Sequence, residues 1–201
     1  MTGYGVLTFS RTVVAALGLM LAGAGSVMAH SFSVGILTPD APDKAQLISA
    51  VRGFLVASAE RDGHPDETAD GHVGGLDVNI VPIFDGTVIE MKELRRASTA
   101  RLDLIISLGA DVSSLGMAPG QTTATVILSP GDLPGGWSTD TGQDSFPARY
   151  RAAFGAKPDQ AAAAGYNAAR RIELAVRPLG GVADAAALAA ALAETSDGIE
   201  W

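Results

Sequence analysis

The chain has no cysteine and only three histidines, and its 14 basic side chains are outnumbered by 22 acidic ones. Without cysteine there is no disulfide, no thiol nucleophile and no thiolate metal site, so stability must come from the packed core. An acidic chain of pI 4.7 offers no electrostatic footprint for nucleic acid. It also lacks the basic amphipathic face that a membrane-surface helix needs. The uncharged, Ala/Leu/Gly-rich run Val13 to Gly25 is short of the roughly 20 apolar residues that span a bilayer. Catalytic signatures are missing too. The sequence contains no Gly-x-Ser-x-Gly elbow, His-Glu-x-x-His, Walker-type loop or dinucleotide glycine fingerprint. A non-catalytic protein without a resident cofactor is therefore expected.

The run after Arg11 ends in Val27-Met28-Ala29, small residues flanking a cleavage position. It reads as a signal peptide over residues 1–29, cleaved after Ala29, and implies export to the bacterial periplasm. Residues 30–201, 172 in number, fit a single domain. Removing Arg11 from the 14 basic side chains leaves 13 against 22 acids, a net charge of −9.

Beyond the signal, strand-like and helix-like patterns alternate. Ser33 to Leu37 reads as a strand, ended by Thr38-Pro39-Asp40. A helix opened by Pro42-Asp43, with Asp43 as its N-cap, carries Leu47, Ile48, Val51, Phe54, Leu55 and Ala59 on one face. A polar loop follows, then a buried strand over Val78 to Phe84, a helix over Val88 to Thr99, and strands over Leu102 to Leu108 and Thr123 to Leu128. The stretch Ser129 to Pro147 is dense in Gly, Pro, Ser, Thr and Asp and reads as a long loop. Phe146 to Phe154 is expected to continue through Pro158 into a helix over Ala161 to Val176, with a last helix over Ala183 to Glu194. The alternation predicts an α/β fold: a three-layer αβα, doubly wound, mainly parallel sheet with helices on both faces.

Several segments resemble type I periplasmic solute-binding proteins of the branched-chain amino-acid transport class. They are Val34-Gly-Ile-Leu37, Ala50-Val-Arg-Gly-Phe-Leu-Val-Ala57, Val81-Pro-Ile-Phe-Asp85, Asp103 to Ser114, and Val126-Ile-Leu-Ser-Pro130. The late segment with Phe146, Tyr150, Gly165, Tyr166, Asn167 and Ala168 is similar to that family's late helix, and Gly198 to Trp201 to its entry into final strands. The resemblance implies one lobe of a two-lobed binding protein, serving an ABC-type importer and taking a small amino-acid-like or carboxylate solute. The second lobe's central strands have no counterpart, and Leu133 stands where the family has a hydroxyl residue. A half-cleft of this kind is most simply completed by a second copy in a homodimer. The alternative is a periplasmic accessory protein that uses the lobe as a scaffold.

Open parallel sheets bind ligands beyond the carboxyl ends of their strands. Those ends carry Asp40, Asp85, Ser107 and Ser129, with Ser113 and Ser114 just beyond. The candidate ligand residues are Asp40, Asp85, Ser113, Ser114 and Ser129, with the Gly131–Gly142 loop folding over them. The two adjacent serines serve equally well as helix caps. A second constellation runs from Arg61 to Gly75 and brings Asp62, His64, Asp66, Glu67, Asp70 and His72 close together in sequence. His64, Asp66 and His72 are its candidate metal ligands, although the spacing fits no defined motif and acid-rich loops are commonly just solvated. Trp137 either covers a ligand or tethers its loop by burying its ring.

Overall fold

The computed structural model describes residues 31–38, 44–60, 69–95, 101–109 and 125–201. Asp40, His64, Asp66, Ser113 and Ser114, the N-cap candidate Asp43 and the signal region lie outside these residues. The chain is α/β, with a mixed, mostly parallel six-stranded sheet and four helices among the described residues. The elements are β1 (Ser31–Leu37), α1 (Ala45–Ala59), β2 (Gly71–Val73), β3 (Leu76–Phe84), β4 (Thr87–Val88), β5 (Leu104–Ser107) and β6 (Val126–Leu128). A 3-10 turn (Trp137–Thr139) precedes α2 (Phe146–Phe154), α3 (Gln160–Leu179) and α4 (Ala185–Ala193).

The sheet order is β2-β3-β1-β5-β6, with β4 pairing only β3. The four strands read from the sequence are all mutually parallel where they pair: β1 with β3, β1 with β5, and β5 with β6. The two short strands that the sequence reading left out are antiparallel additions. Each is made by a two-residue hairpin, Gly74-Gly75 joining β2 to β3 and Asp85-Gly86 joining β3 to β4. Both residues of each turn have positive φ, 66° and 87° in the first and 48° and 67° in the second. That is the backbone a two-residue hairpin requires, and it explains glycine or aspartate at these positions.

Side chains alternate faces with a period of two. Phe32, Val34, Ile36, Val78, Ile80, Leu104, Ile106, Val126 and Leu128 form the main core, and all four helices pack into it. Leu37, Val81, Ile83 and Ile105 form a smaller cluster on the other face, completed by Leu102. The helix expected over Val88–Thr99 is not formed in its described part. Val88 closes the β4 hairpin, and residues 89–95 continue as coil and turns. Right-handed crossovers would place the links from β3 to β5 and from β5 to β6 on that second face. No helix of the described residues covers it.

The helix expected to run through Pro158 is two helices. Gly155, at φ 70°, caps α2, and Asp159 starts α3 by accepting from the Ala162 N–H at 2.8 Å. Proline lacks the amide a continuous helix needs, so the chain restarts one residue later.

The α1–α3 crossing organises the main core. A Cβ on Gly53 would lie 1.8 Å from the Ala162 carbonyl oxygen, and one on Gly165 would lie 2.0 Å from that of Ala50. Each helix therefore meets the other backbone to backbone, through the reciprocal pairs Ala50/Gly53 and Ala162/Gly165. Arg52, on the rim of α1, reaches Glu93 at 2.6 Å and ties down the segment after β4. Burial alone would raise the Glu93 carboxyl, but its bonds from Arg52 outweigh that and hold it below the ordinary 4.5.

Two predictions follow from this packing. Alanine is normally favoured over glycine inside a helix by about 1 kcal/mol. Gly53→Ala and Gly165→Ala should reverse that sign and cost at least the roughly 1–3 kcal/mol of overpacking, read from urea unfolding midpoints. Because Glu93 is depressed in the folded state, its contribution is present above the unfolded value and lost as pH falls through the folded one. Glu93→Gln should accordingly flatten the decline of melting temperature below pH 4.5 relative to wild type.

Candidate solute cleft at the carboxyl edge of the sheet

The chain steps from β1 outward to β3, then returns past β1 to β5, so the strand order reverses between the carboxyl ends of β1 and β5. Open α/β sheets form their crevices at such a reversal. Thr38, one residue beyond β1, is 4% exposed and shares the core-facing side of Ile36. Its hydroxyl has no hydrogen-bond partner among the described residues. A buried hydroxyl left unpaired costs about 1–3 kcal/mol.

Next to this point lies a cleft of about 560 Å³. Leu108, which is hydrogen-bonded to Leu37 and follows β5, forms part of its lining. Gln46 comes from the first turn of α1, and Gln160, Ala161 and Ala164 come from the start of α3. The opposite wall is the chain leaving β6, Ser129 to Leu133, with Ser196 beside it. The first turns of two helices thus meet hydroxyl and amide side chains, with the Ala162 amide of α3 already taken by Asp159. Such an arrangement favours a carboxylate, because its donors are already oriented and the helix dipoles add positive potential.

Two buried polar side chains of α3 hold that wall in place. Asn167 is fully buried, donating from Nδ2 to the carbonyls of Pro130 at 2.8 Å and Asp132 at 3.1 Å. Its Oδ1 accepts from the Trp201 indole at 2.7 Å. Arg171 is 3% exposed and has no carboxylate partner among the described residues. It donates to the carbonyl of Ser129, to that of Leu192 at 2.7 Å, and to the Thr195 hydroxyl at 3.0 Å. Burial lowers the guanidinium's pKa. The last carbonyls of α4 supply the partial negative charge that an ion pair would otherwise provide.

The expected ligand residues separate on this geometry. Ser129 lines the cleft. Asp85 does not. It occupies the exposed β3–β4 hairpin, three strand positions from β6, or roughly 14 Å at the usual inter-strand spacing. Its positive φ gives it a turn role. The long loop also departs from its expected course. Ser129 to Leu133 walls the cleft, but Trp137 turns away to pack on Phe146 and Trp201, each with ring centroids 6.1 Å away. Trp137 thus tethers its loop. Gln46, Gln160 and Ala164 were not anticipated as cleft residues. Their position at helix starts facing the strand ends is the signal that finds them.

Two members of the acidic histidine loop are committed to the sheet. His72 sits on β2 directly opposite Asp77, with Nε2 2.7 Å from the carboxylate. Asp70 accepts from the amides of Ile80 at 2.8 Å and Arg95 at 2.7 Å, while burial raises its pKa. Among the described residues no three His, Cys, Asp or Glu side chains gather to hold a metal. No helix of these residues is long and apolar enough to cross a membrane.

No family model matches this chain, and neither the curated proteins nor the solved structures include a match.

Asn167→Asp keeps the shape but replaces a two-proton donor with a carboxylate facing two carbonyls. We expect it to cost more than Asn167→Ala, by at least the roughly 1–3 kcal/mol of a buried group left unpaired. The denaturation midpoint and the emission of Trp201 report the two consequences together.

Proposed function

We propose that this protein is a non-catalytic solute-binding lobe whose site is the carboxyl-edge cleft, and that the solute is a small amino-acid-like or carboxylate molecule. The observation that carries the reading is the placement of the cleft, beside the reversal of strand order and under the first turns of α1 and α3. The buried Thr38 hydroxyl at the same reversal adds a donor with no partner among the described residues. A three-layer arrangement like one lobe of a type I periplasmic binding protein, working with an ABC-type importer after export, belongs to the same proposal.

The cleft is open on the side that a second lobe would cover. Effective small-molecule pockets enclose most of the ligand surface. A lone lobe should therefore bind nearer millimolar than micromolar, a difference of about 4 kcal/mol. A second copy, or an importer subunit seated over the opening, would restore enclosure.

Calorimetric titration of the purified chain against amino acids and small carboxylates tests the proposal. Ala164→Phe should fill the cleft and abolish binding, and Gln160→Ala with Ser129→Ala should weaken it by roughly tenfold per lost hydrogen bond. A solute bound equally well by wild type and by Ala164→Phe would place the site elsewhere.

A further inference from the structure

The chain has only two tryptophans, at 137 and 201, and both line a second pocket, distinct from the carboxyl-edge cleft. This pocket encloses about 330 Å³ and sits at the start of α2. Trp137, Phe146 and Trp201 wall it. The Trp137 plane is inclined at 52° to Phe146 and 50° to Trp201, and Phe146 meets Trp201 at 78°. Phe146 is buried among the other rings, so the partly exposed Trp137 and Trp201 supply the aromatic surface that the pocket offers. Behind them, Tyr166 and Tyr150 extend the cluster, with centroids 4.5 Å and 5.7 Å from Phe146. Burial pushes the Tyr166 hydroxyl up, so that end of the cluster stays neutral.

The mouth is acidic. Asp140 and Asp144 line it with Gln143, and Asp144 sits exposed among them without a hydrogen bond or ion pair to any described group. The Asp140 carboxylate accepts the local Gly142 amide at 2.9 Å, and its backbone carbonyl accepts from the Ser145 hydroxyl. The one cation in the lining, Arg149, is already answered: it pairs with Glu60 at 2.9 Å and donates to the Tyr166 hydroxyl at 2.7 Å. The start of α2 contributes about half a positive charge, less than the two carboxylates supply.

We propose that this pocket binds a small organic cation, of the quaternary or alkyl-ammonium class. Aromatic faces attract such a cation through their quadrupoles within about 6 Å of the ring centroid. The two aspartates add attraction at the rim, and methyl groups on nitrogen fill the apolar corner that a hydrated inorganic ion would not enter. The pocket is separate from the carboxyl-edge cleft, with no lining residue in common. The inference stands whether or not the cleft binds a solute.

Both tryptophans report on the pocket, so intrinsic fluorescence of the purified chain is a direct readout. Titration with tetramethylammonium and choline chloride, at ionic strength matched with sodium chloride, should give saturable change in the millimolar range of a shallow site. The neutral isostere 3,3-dimethylbutan-1-ol should bind at least several-fold more weakly. Asp144→Asn, which keeps the shape and touches no internal bond, should weaken the cation several-fold and leave the alcohol unchanged. Trp137→Leu should abolish the response, and the Asp144→Asn result stands on its own if that variant unfolds. Ala164→Phe, in the other cleft, should leave the titration unaltered. Equal affinity for the cation and the alcohol would overturn the proposal, as would no saturable change or an affinity indifferent to Asp144→Asn.

Discussion

The rest of the structure depends on two helices touching without side chains between them. Gly53 and Gly165 bring α1 and α3 to the distance at which a carbonyl oxygen of each occupies the space of a missing Cβ on the other. Close approach packs α3 along α1, with Val176 near its far end against Gly74 of the β2–β3 turn. It also sets where the first turns of both helices point, which is toward the same edge of the sheet. The floor and one wall of the cleft thus follow from two hydrogen atoms standing where methyl groups would be.

Helix α3 does a second job, along its length. Its Gly165 face meets α1, Asn167 and Arg171 stitch the chain leaving β6 and the chain leaving α4, and Tyr166 anchors the aromatic cluster. About two turns of helix serve core, cleft wall and aromatic pocket at once. Buried polar groups are tolerated here because each has its acceptors in place. Arg171 is the demanding case. Its charge is offset by oriented carbonyls, a geometry that works only while β6 and α4 both end where they do.

The parallel strands were legible because buried strands announce themselves as short apolar runs, and the fold class followed from their alternation with helices. What escaped notice was local turn chemistry. Gly74-Gly75 and Asp85-Gly86 are strong hairpin signals, yet Asp85 was read as a strand-end acid and the residues of β2 as loop. The expected helix over Val88–Thr99 failed for the same reason: Ile89 and Leu94 mimic helical spacing, but the Asp-Gly turn commits the preceding residues to a hairpin. Of the candidate ligand residues, Ser129 alone could be followed into the cleft. Gln46, Gln160 and Ala164 were invisible, because which helix starts face one another depends on the α1–α3 crossing, and that crossing is a contact between residues more than 100 positions apart.

Strand β6 ends the sheet on one side and is three residues long. In a parallel ladder alternate residues face alternate neighbours, and the Val126 amide already bonds to Asp103, so Ile127 turns its peptide groups outward. Beyond it, the Ser129 carbonyl is taken by Arg171, and Pro130 has no amide to give. That leaves little of the described β6 backbone for a newcomer to pair with. This edge is therefore poorly suited to lateral growth. A partner that pairs by adding a strand would find little purchase along β6.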